Sequence, residues 1–212
     1  MKTYSEREAC VAVPVNERLI NPTCALPYGL TANHVLKAMA EFIDFISFVN
    51  QQLNDKGIAR LETLLMPANF SSFVGEFVGA TIPRYCPSLV RNRYHNGHPD
   101  LIPRGVYIND AVQYSQEGIE VKGSRYSSGW QGHNPEAIWL MVFHFSSNTV
   151  ADQGRGIAPK PFRFVGVYAA KLDKDDWSFS GRSATSRRTI TASVNQQGVA
   201  KMRANWIYLD LD

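Results

Sequence analysis

The sequence predicts an α/β (α+β) fold in which N-terminal helices precede a central mixed β-sheet. The chain has 212 residues, a length that suits one domain with a sizeable core. Hydrophobic residues make up 44% of the chain and charged residues 19%, which excludes a disordered protein. Apolar residues recur at helical spacing in residues 31–83, and short β-type runs follow from residue 84. We therefore expect residues 1–212 to form a single domain.

The N-terminal part of the sequence predicts an arm followed by helices. Residues 1–30 have no apolar period and contain three prolines, which indicates an irregular arm. Thr31 is a suitable N-cap for the first long helix, and Asn69 is a suitable N-cap for a later one. The predicted helices cover residues 31–57, 58–66 and 70–82.

The remainder, residues 84–212, predicts a mixed sheet. Its β-type runs are separated by clusters of Gly, Pro, Asn and Ser. Two of these runs, 138–145 and 163–171, are almost continuously apolar, which is typical of central strands covered on both faces. No helical pattern lies between them. The predicted strands are 100–102, 106–112, 118–122, 138–145, 163–171, 189–194 and 205–209.

Cysteine content and hydropathy exclude several classes of protein. The three cysteines are an odd number and form no C-x-x-C pair, which argues against a disulfide scaffold. The longest apolar run, residues 138–143, is too short to span a bilayer. We expect a soluble cytoplasmic protein with no membrane partner.

Two short segments predict a metal site. Glu120 and Lys122 stand two apart on a predicted strand, so their side chains project from the same face. Asp100 opens a neighbouring segment, and pairing of the two would bring Asp100 and Glu120 together at one edge. Two carboxylates with an intervening backbone carbonyl suit Mg²⁺, and a lysine beside them can orient or deprotonate a water for attack on a phosphodiester. The alternative is a solvated cross-strand ion pair between Glu120 and Lys122.

The pair Pro99-Asp100 followed by Glu120-Val121-Lys122 resembles the PD-(D/E)xK nuclease superfamily, and most of all its type II restriction endonucleases. The resemblance covers residues 76–171, about half of the chain. It implies a restriction-endonuclease-like core in which Asp100, Glu120 and the Val121 carbonyl bind Mg²⁺. Lys122 would position the attacking water and stabilise charge on the phosphate.

The same resemblance gives a role to Glu76 on the third predicted helix. Glu76 is similar to the extra acid that some members of the superfamily place on the helix preceding the catalytic strands. Gly75 and Gly79, which flank it, would let another element approach closely. The alternative is an ordinary acid at the boundary of an amphipathic helix.

Two segments are candidates for contact with double-stranded DNA. The polar, glycine-rich loop 124–134 directly follows the predicted catalytic strand, and the segment 180–203 carries five basic residues and no acid. Arginine, asparagine and glutamine can contact base edges, while serine, threonine and lysine often contact phosphates. The alternative for both segments is a solvated turn or basic hairpin. The candidate DNA-binding residues are Arg125, Gln131, His133, Asn134, Arg182, Arg187, Arg188, Thr189, Asn195 and Gln196.

Four histidines raise the alternative of a zinc site. They are His95, His98, His133 and His144. The first two are too close to Pro99 for a helical ligand pair, and no cysteine lies nearby, which argues against zinc. His95 and His98 are close enough in sequence to Asp100 to contact a phosphate.

Taken together, these expectations describe a Mg²⁺-dependent type II restriction endonuclease that hydrolyses double-stranded DNA at a specific short sequence. A homodimer is expected, because a two-fold protein matches a palindromic site. Two alternatives stay open at this point. One is a DNA repair or junction nuclease with the same core, and the other is a DNA-binding protein without catalytic activity.

Overall fold

A computed structural model describes residues 3–132, 135–180 and 191–211, and its fold is mixed α+β with the helices preceding the sheet. The helices are α1 (Glu6–Ala9), α2 (Ala32–Asp55), α3 (Leu61–Leu64), α4 (Pro67–Thr81), α5 (Val150–Gln153) and α6 (Gln196–Ala204). The strands are β1 (Leu89–Arg91), β2 (Leu101–Pro103), β3 (Ile119–Ser124), β4 (Gln131–Gly132), β5 (Ile138–Ser146), β6 (Arg163–Leu172), β7 (Trp177–Ser180), β8 (Thr191–Val194) and β9 (Trp206–Leu209).

The main sheet has six strands in the order β1-β2-β3-β5-β6-β9, and a smaller sheet has the order β4-β8-β7. In the main sheet β3 and β5 are parallel, whereas the other neighbours are antiparallel. A parallel pair needs a crossover connection, and here that connection contains β4. The sheet is therefore mixed, as the sequence predicts.

Strands β5 and β6 are covered on both faces, which explains their continuous apolar sequences. Met141 and Phe143 of β5 belong to the core under α2 and α4. Leu140 and Val142 point the other way, into a second core formed with the smaller sheet and α6. Alternate residues of the strand thus bury in different cores, which requires apolar side chains on both faces of its central part.

Helices α2 and α4 form because each presents an apolar stripe to the sheet. The Thr31 side chain accepts a hydrogen bond from the His34 backbone N–H at 3.3 Å, so it caps α2 as predicted. Helix α4 begins at Pro67 and not after Asn69, since proline at the first helical position has no N–H to leave unpaired. Among the described helices, none combines the length and apolar character needed to cross a membrane.

Helix α4 lies very close to β3 because glycines face each other at the contact. A Cβ added to Gly123 would lie 2.8 Å from Val74 Cβ and would also clash with the Ser71 carbonyl oxygen. A Cβ added to Gly75 would lie 3.1 Å from the Gly123 backbone nitrogen. This contact holds the middle of α4, including Glu76, beside the strand that carries Glu120 and Lys122.

One predicted strand is wrong, and one helix was not predicted. Residues 106–112 were predicted as a strand but form a turn, in which Asn109 and Asp110 have φ of 56° and 53°. The Asp110 carboxylate accepts a hydrogen bond from the Gly105 backbone N–H at 2.9 Å and closes that turn. No helix was predicted after β8, yet the chain there forms α6, with Asn195 as its N-cap. Where no helical pattern was visible, between β5 and β6, the structure has the single turn α5.

The N-terminal residues pack along the body of the protein and contact the last strand. The Asn21 backbone N–H donates to the Ile207 carbonyl at 2.9 Å, and Ile20 forms an isolated antiparallel bridge with Tyr208. The Ala25 backbone N–H donates to Asn205 Oδ1 at 2.8 Å, and Asn205 Nδ2 donates back to the Ala25 carbonyl at 2.7 Å. Residues 20–25 are therefore held by backbone and side-chain bonds to the C-terminal end of the sheet.

A buried arginine joins the N-terminal region to the helical part. The Arg60 side chain is only 2% exposed, and its Nη1 lies 2.6 Å from a carboxylate oxygen of the fully buried Glu62. Its Nε lies 2.9 Å from a carboxylate oxygen of Glu6 on α1, and its Nη2 donates to Asn148 Oδ1 at 2.9 Å. One guanidinium thus connects α1, α3 and the segment before α5.

Candidate functional site

The candidate site lies where β2 and β3 separate. The two strands pair at Leu101 and Ile119, and their described pairing ends there. Asp100 and Glu120 are the next residues on the two strands, so their carboxyl groups come together at the opening. Asp100 Oδ2 accepts a hydrogen bond from the Val121 backbone N–H at 2.8 Å. The Val121 N–H thus bonds to a side chain at the point where backbone pairing with β2 has ended, and this bond fixes Asp100 beside β3.

Glu120 is held by a cation on each of its carboxylate oxygens. Lys122 Nζ lies 2.9 Å from Glu120 Oε1, and His98 Nδ1 lies 3.0 Å from Glu120 Oε2. The other ring nitrogen of His98, Nε2, lies 2.8 Å from Glu136 Oε2. Both ring nitrogens are thus within ion-pair distance of a carboxylate.

Burial and neighbouring charges shift the pKa values in this cluster in opposite directions. Burial, with the adjacent Glu120 carboxylate, raises the pKa of Asp100 to about 7. Burial alone would also raise the pKa of Glu120, but His98 and Lys122 outweigh it and lower that pKa to about 2. Burial would lower the pKa of His98, and the two glutamates raise it instead to about 9. Burial likewise opposes the charge on Lys122, yet Glu120 raises its pKa above the ordinary value.

The cluster opens into a groove made of three adjoining cavities. The central cavity, of about 330 Å³, is lined by α4 and β3 and contains Asp100, Glu120 and Lys122. It shares Asp100 with a cavity of about 680 Å³ along residues 90–97, and it shares Lys122 with one of about 760 Å³ along residues 122–131. The groove therefore passes directly over the two carboxylates.

Charge is distributed unevenly along this groove. Among the described lining residues, the acids are the central three, Glu76, Asp100 and Glu120. The charged residues of the two flanking cavities are otherwise basic. They are Arg91, Arg93 and Arg104 on one side and Lys122 and Arg125 on the other. Such an arrangement would suit an extended polyanion that lies along the groove.

Glu76 lies at the rim of the central cavity and not in its buried part. Its side chain is 58% exposed and forms an ion pair with Arg91 of β1. No basic residue close in sequence was available for this pairing, and the sheet supplies one from 15 positions away. Glu76 is thus beside Asp100 and Glu120, while its present partner is an arginine.

The loop after β3 contains two of the candidate DNA-binding residues. The Arg125 guanidinium lies 5.3 Å from the Phe70 ring and 5.0 Å from the Phe145 ring, and its Nη1 donates to the Ser147 carbonyl at 3.2 Å. Gln131, in contrast, is exposed on β4 and lines the same cavity as Lys122. Contact between DNA and either residue stays a prediction, and Gln131 has the freer side chain of the two.

The C-terminal candidates are divided between α6 and a segment outside the described residues. Both ends of the Asn195 amide are used, because Oδ1 accepts from the Gly198 backbone N–H at 3.0 Å and Nδ2 donates to the Asp175 carbonyl at 2.7 Å. Gln196 is exposed at the start of α6. The candidates that lie outside the described residues are His133, Asn134, Arg182, Arg187, Arg188 and Thr189.

The donor set of the cluster fits Mg²⁺. Two largely buried carboxylates share one small volume, and burial together with the charge of Glu120 raises the pKa of Asp100. Val121 lines the same cavity. In the part of the chain that the structure describes, no group of three or more His, Cys, Asp or Glu side chains is arranged to hold a metal. A site here would therefore consist of two carboxylates, a carbonyl and water, a ligand set that Mg²⁺ accepts.

The chain matches no known protein-family model, no curated protein and no solved structure.

The sequence alone did not point to Glu136. It lies two residues before β5, and His98 joins it to Glu120 from the neighbouring strand. The signal that was available is its isolation, because Glu136 is the only acid between Glu120 and Asp152. His98 was noted as a phosphate contact, whereas in the structure its ring lies between two carboxylates.

Proposed function

We propose that this chain is a Mg²⁺-dependent endonuclease of the type II restriction class, with a PD-(D/E)xK core, that hydrolyses phosphodiester bonds of double-stranded DNA. The observation that carries the proposal is the convergence of Asp100, Glu120 and Lys122 from adjacent strands at the centre of one groove. The order of α4, β2, β3 and β5 along the chain, with α4 packed on β3, supports the proposal. A two-fold DNA site would require a second copy of the chain.

The metal-binding residues and Lys122 have different roles in the proposed reaction. Asp100 and Glu120, with the Val121 carbonyl, would hold Mg²⁺, which when bound places positive charge next to the phosphate and makes a bound water more acidic. Lys122 has a raised pKa and is therefore protonated at neutral pH. Its charge can orient a water and stabilise the anionic phosphate, whereas it is a poor base in this state.

The groove supports a nucleic-acid substrate over a small molecule. The two flanking cavities are larger than the central one, and their charged residues are basic apart from those they share with the centre. The phosphate backbone of a DNA strand could lie along Arg91 and Arg93 on one side of the cluster. On the other side it could lie along the loop that contains Gln131. One phosphate would then stand over Asp100 and Glu120.

A second candidate function is DNA binding without cleavage. Lys122 Nζ lies 2.9 Å from Glu120 Oε1, so the two side chains already form a complete ion pair. If that pair is purely structural, the groove would bind DNA and leave it intact. The experiment below separates the two functions.

Digestion of a long mapped DNA with Mg²⁺, compared with the same reaction in EDTA, tests the proposal. We expect discrete fragments that appear only with Mg²⁺, and Lys122→Ala should abolish them while Lys171→Ala, an exposed lysine on β6, should leave them unchanged. A smear would indicate a nonspecific nuclease of the same core. A shifted but intact band, or cleavage by Lys122→Ala at the wild-type rate, would contradict the proposal.

A further inference from the structure

His98 is fixed more firmly than a residue that only contacts a phosphate would need to be. Its backbone N–H donates to the Gln113 carbonyl at 3.0 Å, and its carbonyl accepts from the Ser115 N–H at 2.9 Å. Its ring stacks on Tyr114, with 5.7 Å between ring centroids and 18° between planes. Backbone and ring are therefore both held, and the ring side chain is 20% exposed.

The ring held in this way joins the carboxylate of Glu120 on β3 to that of Glu136, two residues before β5. Nδ1 faces Glu120 Oε2 at 3.0 Å, and Nε2 faces Glu136 Oε2 at 2.8 Å. Glu136 is itself buried, with an 11% exposed side chain, and its backbone carbonyl accepts a hydrogen bond from Trp177 Nε1 at 3.0 Å. The contacts of His98 with Glu120 and Glu136 thus connect β3 to the start of β5 and to the smaller sheet.

We propose that His98, supported by Glu136, is a positioning residue that fixes the rotation of the Glu120 carboxylate for metal binding. This inference rests on the proposed function, because it assigns a role within that metal site. His98 binds one oxygen of Glu120, Oε2, and leaves Oε1 as the oxygen that faces Lys122. A metal ion could therefore replace Lys122 at Oε1 without any rotation of the Glu120 carboxylate.

Glu136 completes the arrangement by fixing the ring of His98 from the side opposite Glu120. The ring therefore cannot turn away from Glu120 Oε2 without also losing its contact with Glu136. Partners of this kind, one step removed from a ligand, typically change metal affinity or activity by about 10–100-fold when they are removed.

The test measures metal binding directly, with Mn²⁺ as the probe and electron paramagnetic resonance to count free Mn²⁺. The full chain and its variants His98→Ala, His98→Gln and Glu136→Gln are titrated, with Glu117→Gln as the control because Glu117 is an exposed acid that precedes β3. We expect His98→Ala to bind Mn²⁺ about 10–100-fold more weakly than wild type. His98→Gln should recover part of the loss, because its amide can still donate to Glu120, and Glu117→Gln should match wild type.

Cleavage assays supply the second measurement. The Mg²⁺ concentration for half-maximal cleavage should rise in His98→Ala by the same factor, while the rate at saturating Mg²⁺ should fall much less. Glu136→Gln, which is nearly isosteric and should fold, is expected to shift Mn²⁺ affinity in the same direction. Unchanged or tighter Mn²⁺ binding by both His98→Gln and Glu136→Gln would overturn the positioning role.

The two proposals fail in different ways. If the wild-type chain binds no Mn²⁺ and cuts no DNA, the metal site and the positioning role fall together. If wild type binds Mn²⁺ and cuts, but the His98 and Glu136 variants bind Mn²⁺ as wild type does, only the positioning role is refuted.

Discussion

Replacing Asp100 by asparagine should make the metal-free protein more stable above neutral pH, although the same change removes a proposed metal ligand. Asp100 is buried beside Glu120, and its pKa rises from an ordinary value of 3.8 to about 7. The folded protein therefore holds a proton on Asp100 that the unfolded chain releases near pH 4. Between these two pKa values the stability of the wild-type protein falls as the pH rises.

The size of the effect follows from that shift. At about 1.4 kcal/mol per pKa unit, a rise from 3.8 to about 7 sets a ceiling of about 4 kcal/mol at alkaline pH. Asparagine keeps an oxygen that can accept the Val121 N–H, so that bond need not be lost. Because Lys122 loses a favourable neighbour in the variant, we expect a net gain of about 1–3 kcal/mol at pH 8.

Urea unfolding in EDTA at pH 4 and pH 8 measures this difference. Asp100→Asn should be more stable than wild type at pH 8 and nearly equal to it at pH 4, and Asp44→Asn, at an exposed position of α2, should show no such dependence. Adding Mg²⁺ at pH 8 should stabilise wild type and not the variant, since binding to the folded state adds stability. A variant no more stable than wild type at pH 8, or equally stabilised at both pH values, would refute the reasoning.

Three further predictions concern packing and the rim of the groove. Gly123→Ala should lower the free energy of unfolding, measured by thermal unfolding, by about 1–3 kcal/mol, because its Cβ would clash with α4. The control Gly154→Ala should change the free energy of unfolding by less than about 0.5 kcal/mol in the same assay. Glu76→Gln should change the free energy of unfolding by less than about 0.5 kcal/mol, since the ion pair between Glu76 and Arg91 is exposed. The same variant should cleave DNA more slowly than wild type. A wild-type cleavage rate would mean that Glu76 only pairs with Arg91 and takes no part in cleavage. Arg60→Met should lower the free energy of unfolding in urea by about 3–5 kcal/mol, because it leaves Glu62 buried without its cation. Adding Glu62→Gln to that variant should recover part of the lost stability. No recovery in the double variant would contradict this account.

The sequence predicted the parts of the fold that depend on local periodicity. The N-cap Thr31 and the apolar stripe after it located α2, and the continuous apolar runs located β5 and β6. Period two on β3 also placed Glu120 and Lys122 on one face. Each of these features is set by residues within a few positions of one another.

The sequence could not predict features set by distant partners. Glu136 joins the cluster through His98, which lies shortly before β2, and no spacing in the sequence links the two residues. The turn at residues 106–112 reads as a strand because Val106, Tyr107 and Ile108 are β-type residues, while the Asp110 side chain and positive φ angles decide otherwise. Helix α6 did have a local signal, with Asn195 as N-cap and Val199 and Met202 three apart.

The contacts between the N-terminal residues and β9 also have a consequence for the order of folding. The hydrogen bonds from Ala25 to Asn205 join positions 180 residues apart, and the bond from the Asn16 N–H to the Tyr208 hydroxyl spans 192 residues. Such contacts form slowly, because the entropy of closing a long loop is lost before the contacts stabilise it. During synthesis they cannot form until β9 has left the ribosome, whereas β2, β3 and β5 can pair earlier. The part of the sheet beside Asp100, Glu120 and Glu136 can therefore assemble before residues 16–25 are in place, and the contacts of those residues with β9 and Asn205 form last.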